Sequence, residues 1–146
     1  MTVAFSGEGI ASQIEENFPR SVVESSPKSI VVNKESLFAV ASYLKTTPGL
    51  DFGYLTAITA VDYCDYFEVV YHLTSLQHNH SLVVKTRCYG RDSPSLPSVV
   101  SLWRGADFQE REIYDLMGIS FDGHPNMKRI FLWEGFEGHP LRKDYL

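Results

Sequence analysis

Near its C-terminus this chain repeats a phrase that has the side chains of a metal site. Phe121-Asp122-Gly123-His124-Pro125 returns fifteen residues later as Phe136-Glu137-Gly138-His139-Pro140. Imidazole and carboxylate together ligate zinc or non-haem iron. His124 and His139, with Asp122 and Glu137, could therefore serve a small metal-dependent enzyme. The local backbone favours another role. Each histidine follows glycine and precedes proline, which makes the chain turn-like or extended there. No HxxxH or HxxE spacing places two ligands on one helical face. The phrases read as two turns, with glycine supplying a permissive backbone and proline fixing the next step. His78 and His80 in "QHNH" fall in a predicted hairpin loop, where adventitious metal is the most they would hold.

The second chemical candidate is "QEREIYDL", which carries Glu110, Arg111, Glu112 and Asp115. Two of its carboxylates could act as an acid/base pair. Arg111 and Asp115 stand at i and i+4, however, where they are expected to pair, while Glu112 points away. Asp107 followed three residues later by Glu110 has the spacing of a capping box. This helix reads as structural or interfacial. No phosphate-cradling glycine loop, GxSxG or nucleophile with a nearby base occurs. Cys64 and Cys88 form no CxxC pair, so iron–sulfur ligation and thiolate zinc have no support. No catalytic, cofactor-binding or metal site is expected on this chain.

The elements that must position these residues follow from periodicity. Ile10, Ile14 and Phe18 form one stripe of a helix that Pro19 ends. Val22–Glu24 and Ile30–Val32 read as short strands around "SSPKS". Asn33 can cap a second helix whose apolar positions are Leu37, Val40, Ala41 and Leu44. From Tyr54 to Tyr89 the period becomes two, giving three strands joined by tight connections and therefore antiparallel. Glu68 and His72 face Lys85 and Arg87 as expected cross-strand partners on a solvated sheet face. "GRDSPSLPS" is loop. A third helix follows, with Phe108, Ile113, Leu116 and Met117 as its apolar face and Gly118 as its stop. Residues 1–120 are thus expected to form an α+β domain with a largely antiparallel sheet and an N-terminal helix. Residues 121–146 form an irregular C-terminal tail that docks on a partner.

Composition sets the outer limits. The chain has 146 residues, 44% hydrophobic and 21% charged, which suits one domain with a real core. A formal net charge of -5 argues against a nucleic-acid binder. No apolar run is long enough to span a bilayer, and the N-terminus lacks the basic and apolar regions of a signal peptide, so export is not expected. The tail interleaves Phe131, Trp133 and Phe136 with Lys128, Arg129, Arg142, Lys143 and Asp144. Aromatics and arginine are enriched at the centres of interfaces. An irregular tail must also satisfy its backbone somewhere, and a partner protein would serve.

The stretch "GADFQEREIYDLMGISFDGHPNMKRIFLWEGFEGHPLRKDY", Gly105 to Tyr145, closely resembles the 30 kDa (C-type) subunit family of respiratory complex I, whose counterpart in chloroplasts and cyanobacteria is the J-type subunit. "YHLTS" and "PSVVSLW" agree more weakly, and the first 50 residues carry little of the family signal. The resemblance implies a non-catalytic scaffold subunit in the peripheral arm of a proton-translocating NADH:quinone oxidoreductase, supporting electron transfer from NADH to quinone. It implies a two-layer α/β domain with a mixed sheet, a C-terminal tail running along the D-type subunit, and no cofactor on this chain; iron–sulfur clusters, flavin and quinone would lie on partner subunits. Those partners would be the D-type (49 kDa) and B-type subunits of complex I within the wider peripheral arm. The chain would meet the membrane only through the complex, on the cytoplasmic side of the cell membrane or its organelle-matrix equivalent. The residues expected to bind partners are Glu110, Arg111, Glu112, Asp115, His124, Lys128, Arg129, Trp133, His139, Pro140, Arg142, Lys143 and Asp144. Many family members continue beyond the point where this chain stops, at "RKDYL". The same module occurs in ferredoxin-fed and membrane-bound hydrogenase-type relatives, which the resemblance leaves open.

Overall fold

The computed structural model of the chain describes residues 3–4, 6–133 and 135–145. A two-residue strand, β1 (Val3–Ala4), comes first. Helix α1 (Gly7–Asn17) follows, with the Ser6 hydroxyl accepting the Gly9 N–H at its start. Ile10, Ala11 and Ile14 are its buried stripe. Strands β2 (Val22–Ser25) and β3 (Ser29–Val32) form an antiparallel hairpin beside it. A β-carbon on Gly7 would collide with the carbonyl oxygens of Ser26 and Ser29, so α1 begins directly against the hairpin turn. Only glycine fits there.

Asn33 caps as expected, but through an intermediate. Its side chain accepts the Ser36 N–H and starts a single 3-10 turn, Lys34–Ser36, which leads into α2 (Leu37–Thr46). The predicted stripe Leu37, Val40, Ala41 and Leu44 is buried. Strands β4 (Tyr54–Asp62), β5 (Tyr66–Ser75) and β6 (His80–Tyr89) then run antiparallel in sequence. β6 also pairs in parallel with β3 and with β1, giving a mixed sheet of six strands in the order β2-β3-β6-β5-β4, with β1 on β6. One face carries Phe67, Val69, Tyr71, Leu73, Leu82, Val84 and Cys88 into a single core with the helices. The α+β, two-layer expectation is met.

The opposite sheet face departs from a simply solvated surface. Glu68 stands opposite Arg87 in register and is only 4% exposed, because Lys85 and Arg87 lie over it at 3.6 and 3.4 Å. Arg87 extends the chain of charges to Glu24. His72 pairs with Val83 in register and not with a cation. Two further strands lie outside the sequence-based expectation: β7 (Ser95–Pro97) and β8 (Ser120–Asp122) make a small parallel ribbon. Three residues are too few to reveal a period of two. The expected boundary between residues 120 and 121 falls within β8.

Helix α3 (Ala106–Met117) closes the sheet on its far side. It packs along β4, the edge strand, and the Gln109 side-chain oxygen accepts the Ile58 N–H at 2.6 Å. An edge donor that would otherwise invite another strand is thereby satisfied.

Replacing Gly7 with alanine should lower stability by roughly 1 to 3 kcal/mol, since the obstructing atoms are backbone and cannot rotate away. Denaturant unfolding of Gly7→Ala beside Gly9→Ala checks this. The Gly9 β-carbon meets only Ser6 at 3.8 Å, so that variant should unfold much as the parent does.

Candidate partner-binding site

The site is built on the two sides of α3. Its inner stripe is Ala106, Glu110, Ile113 and Met117, all buried. At about 100° per residue, Phe108 and Asp115 fall close to the opposite side. Phe108 is 63% exposed and does not join the apolar face assigned to it from sequence. Ala106 sets the phase of the buried stripe, and Phe108, two positions on, faces outward. The expected capping box is also absent. Gly105 occupies the cap without a side-chain bond, Asp107 lies inside the first turn, and Glu110 faces the core. Its two oxygens accept the Ser98 hydroxyl at 2.6 Å and the Val99 N–H at 2.9 Å. Gly118 ends the helix as expected, in the left-handed conformation with φ 78°.

Asp115 is fully buried although it faces away from the core, because the tail covers it. Oδ2 accepts three successive backbone N–H groups, from Ile130, Phe131 and Leu132, at 3.1, 2.8 and 3.1 Å. Oδ1 pairs with Arg129 at 2.7 Å. This corrects the expected Arg111–Asp115 pair. Arg111 instead donates to the carbonyls of Lys128 and Arg129, at 3.0 and 3.1 Å. The tail brings a better set of donors to the carboxylate than a neighbouring turn of helix can. Burial by itself raises the Asp115 carboxyl; the N–H groups of Phe131 and Leu132, the Arg129 guanidinium and the Ile130 N–H outweigh it and hold it below the usual range.

The tail's far end is held similarly. Leu141 N–H donates to Leu116 O, and Arg142 Nε donates to Met117 O. Lys143 N–H donates to the buried carboxylate of Asp62 on β4, which also receives both terminal nitrogens of Arg91. Arg91 in turn pairs with Asp144 at 2.8 Å. The Arg91 guanidinium, first, and then the N–H groups of Lys143 and Cys64 hold Asp62 far below the ordinary carboxylate range against the opposing effect of burial. Much of the backbone expected to be satisfied by a partner is therefore satisfied within the chain.

Both repeated phrases are turns. Gly123 and Gly138 have φ of 85° and 90°. The His124 side chain is wholly buried; its Nε2 lies 3.2 Å from the Asp107 carbonyl and 3.0 Å from Asp107 Oδ1, and its Nδ1 accepts the Asn126 N–H. That pattern puts the ring hydrogen on Nε2. His139 uses the other nitrogen, with Nδ1 donating to the Asp115 carbonyl at 3.0 Å. Asp107 and Asp115 are separated by about 12 Å of helix, so the two rings do not converge on one ion. Among the described residues no group of three His, Cys, Asp or Glu side chains gathers as a metal site. His139 and Arg142 also fill the space beside Gly118, where a β-carbon would lie 2.7 and 2.9 Å from them.

Of the residues singled out from sequence, the structure thus brings Arg111, Asp115, Arg129, His139 and Arg142 together around the end of α3. His124 joins the start of that helix, and Lys143 and Asp144 reach β4 and Arg91. Pro140 is half-buried, while Glu110 belongs to the core. Glu112, Lys128 and Trp133 remain exposed. Asp62 and Arg91 are missed by sequence reasoning. They lie 82 and 53 positions from Asp144, and no local pattern marks them.

These features define a class: a two-layer α+β domain whose C-terminal strap is folded onto its third helix as a built surface. No helix among the described residues is long and apolar enough to cross a membrane. The chain belongs to the family described as the respiratory-chain NADH dehydrogenase 30 kDa subunit, which it matches over residues 30–146. It is 41% identical over 120 residues to a C-type NADH-quinone oxidoreductase subunit of Rhizobium meliloti (strain 1021), covering 80% of this chain and 65% of that one. It is 46% identical over 103 residues to the joined C/D-type NADH-quinone oxidoreductase subunit of Phocaeicola vulgatus, covering 70% of this chain and 20% of that one. The chain thus spans just under two thirds of the rhizobial relative's length. Its fold is similar to a chain of the membrane-bound sulfane sulfur reductase, an archaeal respiratory membrane complex. The TM-score is 0.76 at 27% identity, covering 94% of this chain and 84% of that one.

Asp115→Asn should cost about 3 kcal/mol, because it leaves Arg129 and the N–H groups without a charged acceptor. The pH dependence follows from the lowered carboxyls. Asp62 and Asp115 stabilise the fold fully above the ordinary aspartate value of about 3.9, and that contribution is lost as pH falls through their folded values. Hydrogen exchange at Phe131 and Leu132 should stay slow from pH 7 to 5 and speed up, beyond the intrinsic trend, only in stronger acid.

Glu110 has the opposite sign. Burial is the largest influence and raises its carboxyl despite the Ser98 and Val99 donors. Its folded form keeps the proton to higher pH, so it detracts from stability as pH rises. Glu110→Gln can place its amide oxygen on the Val99 N–H and its NH₂ on Ser98. Its melting temperature at pH 7 should equal or exceed the parent's, with a smaller advantage at pH 4.

Proposed function

We propose that this protein is a non-catalytic scaffold subunit of the peripheral arm of a proton-translocating NADH:quinone oxidoreductase, supporting electron transfer from NADH to quinone. Membership in the 30 kDa family supports the assembly, and the strap supports the role. Folded onto Asp115 and Asp62, the strap spends its polar backbone internally and leaves Phe131, Trp133, Leu141 and Tyr145 exposed, with Phe108 of α3 also outward. A preformed aromatic surface associates without first ordering a loose segment, so less entropy is lost on docking. The partners are the D-type (49 kDa) and B-type subunits. The name of the Phocaeicola relative, which joins the C and D types in one chain, supports the first of these. Flavin, iron–sulfur clusters and quinone belong to the partners. The assembly sits on the cytoplasmic side of the membrane, or its organelle-matrix equivalent, and this chain reaches the membrane only through it.

A second reading gives the same structural role in a relative with another electron donor or acceptor. The fold shared with the sulfane sulfur reductase chain favours it. The identity of 41% and 46% to chains named for NADH and quinone, against 27% to that one, favours the first.

Purification through a tag on this chain in mild detergent should bring down D-type and B-type subunits with NADH:quinone activity. The chain expressed alone should be colourless and inactive with NADH. Stoichiometric flavin or iron on the isolated chain would overturn the scaffold reading. An assembly that reduces quinone from another donor would select the second.

A further inference from the structure

The side of α3 next to Asp115 holds a feature that folding of the strap does not use up. A cleft of about 260 Å³ opens between α3 and the strap, lined by Arg111, Lys128, Arg129 and Leu132. Arg129 has its counter-ion in Asp115. Arg111 spends its Nε and Nη2 on two neutral carbonyls, which orient the guanidinium without neutralising it. Lys128 is exposed, and among the described residues no carboxylate stands within ion-pair distance of it or of Arg111. Three cations meeting with one buried carboxylate between them leave a local excess of positive charge. The chain as a whole is acidic, at -5.

We infer that this cleft is the receptor for a carboxylate on an acidic segment of a partner subunit. The inference rests on the scaffold reading and specifies the chemistry of what docks. The Arg111 guanidinium is fixed by its two carbonyl bonds, and a planar, pre-oriented guanidinium is suited to a carboxylate in a way a mobile ammonium is not. Its carbon lies 5.8 Å from the Phe108 ring centre, so an exposed aromatic borders the charge. Phe131 and Trp133, 64% and 68% exposed, follow Lys128 and Arg129 along the strap. A cationic centre beside exposed aromatics matches an acidic residue with apolar neighbours. Such charge pairs steer association and fix register, while aromatics supply the area.

Carbodiimide coupling tests this directly, because it joins an amine to a carboxylate only when the two are in contact. The assembly is purified through a tag on this chain, treated, digested and read by mass spectrometry. Lys128 should be found joined to an aspartate or glutamate of another subunit. The Lys128→Glu variant should keep the parent's melting temperature, since that side chain makes no hydrogen bond or ion pair among the described residues. It should also bind the assembly about tenfold more weakly at low salt, with the difference shrinking as salt rises. A Lys128 amine that stays free in an intact assembly overturns the inference while leaving the scaffold reading standing. Coupling to a second copy of this chain overturns it as well. Coupling to an acidic segment in an assembly lacking D-type and B-type subunits would uphold the cleft and sink the scaffold reading.

Discussion

A single buried carboxylate organises the C-terminal part of this protein. Asp115 is charged, wholly removed from water and on the side of α3 away from the core. An ion in that position costs several kcal/mol in lost hydration unless its oxygens are filled. The strap fills them, with three consecutive N–H groups and the Arg129 guanidinium. The carboxylate and the strap are therefore mutually necessary. Without the strap Asp115 would be exposed; without Asp115 residues 130–132 would have three orphan donors. A second anchor of the same kind, Asp62 with Arg91, fixes the far end through Lys143 and Asp144. Between these anchors the segment needs neither helix nor strand to hold a defined path.

Two carboxylates on one helix illustrate how environment decides charge. Glu110 and Asp115 are both inaccessible to solvent. Glu110 meets one hydroxyl and one N–H inside an apolar core, and burial prevails, raising its carboxyl. Asp115 meets three N–H groups and a guanidinium, and the donors prevail. Each holds a separate piece of irregular chain to α3: Glu110 the segment at Ser98 and Val99, Asp115 the strap. The helix thus serves as a post to which loops are tied on both sides. Its inner face combines apolar burial with the Glu110 attachment, and its outer face supplies the Asp115 attachment.

The paired phrases show how far local pattern can be trusted. Glycine at positive φ before each histidine makes a turn in both places, and that much was legible. The destinations of the histidines were not. One ring donates from Nε2 to the first turn of α3, the other from Nδ1 to its last, and the choice depends on how the strap lies over the helix. Arg111 and Asp115 had the right spacing to pair and do not, because intrahelical spacing states only what can meet. Donors arriving from residues 128–132 compete for the same atoms. Their geometry is set by long-range packing.

The sequence by itself determined the elements whose signal is local. Helices α1 and α2 follow from apolar spacing and capping, and the three long strands follow from sustained alternation. The α+β class and the turn character of both glycine-histidine-proline phrases came the same way, and the family resemblance came from a contiguous stretch. Tertiary structure alone decided which face of α3 meets the core, that β1, β7 and β8 exist, and that Asp62 and Arg91 hold the tail. It also decided that the cations of the strap leave a cleft beside α3. The reason is common to all four: two- and three-residue strands, hydrogen bonds to a carboxylate across 29 to 81 positions and the rotation of one helix are settled by contacts between distant segments. Periodicity reports which residues want burial or turns. It carries no information on which distant donor will reach a given carboxylate first.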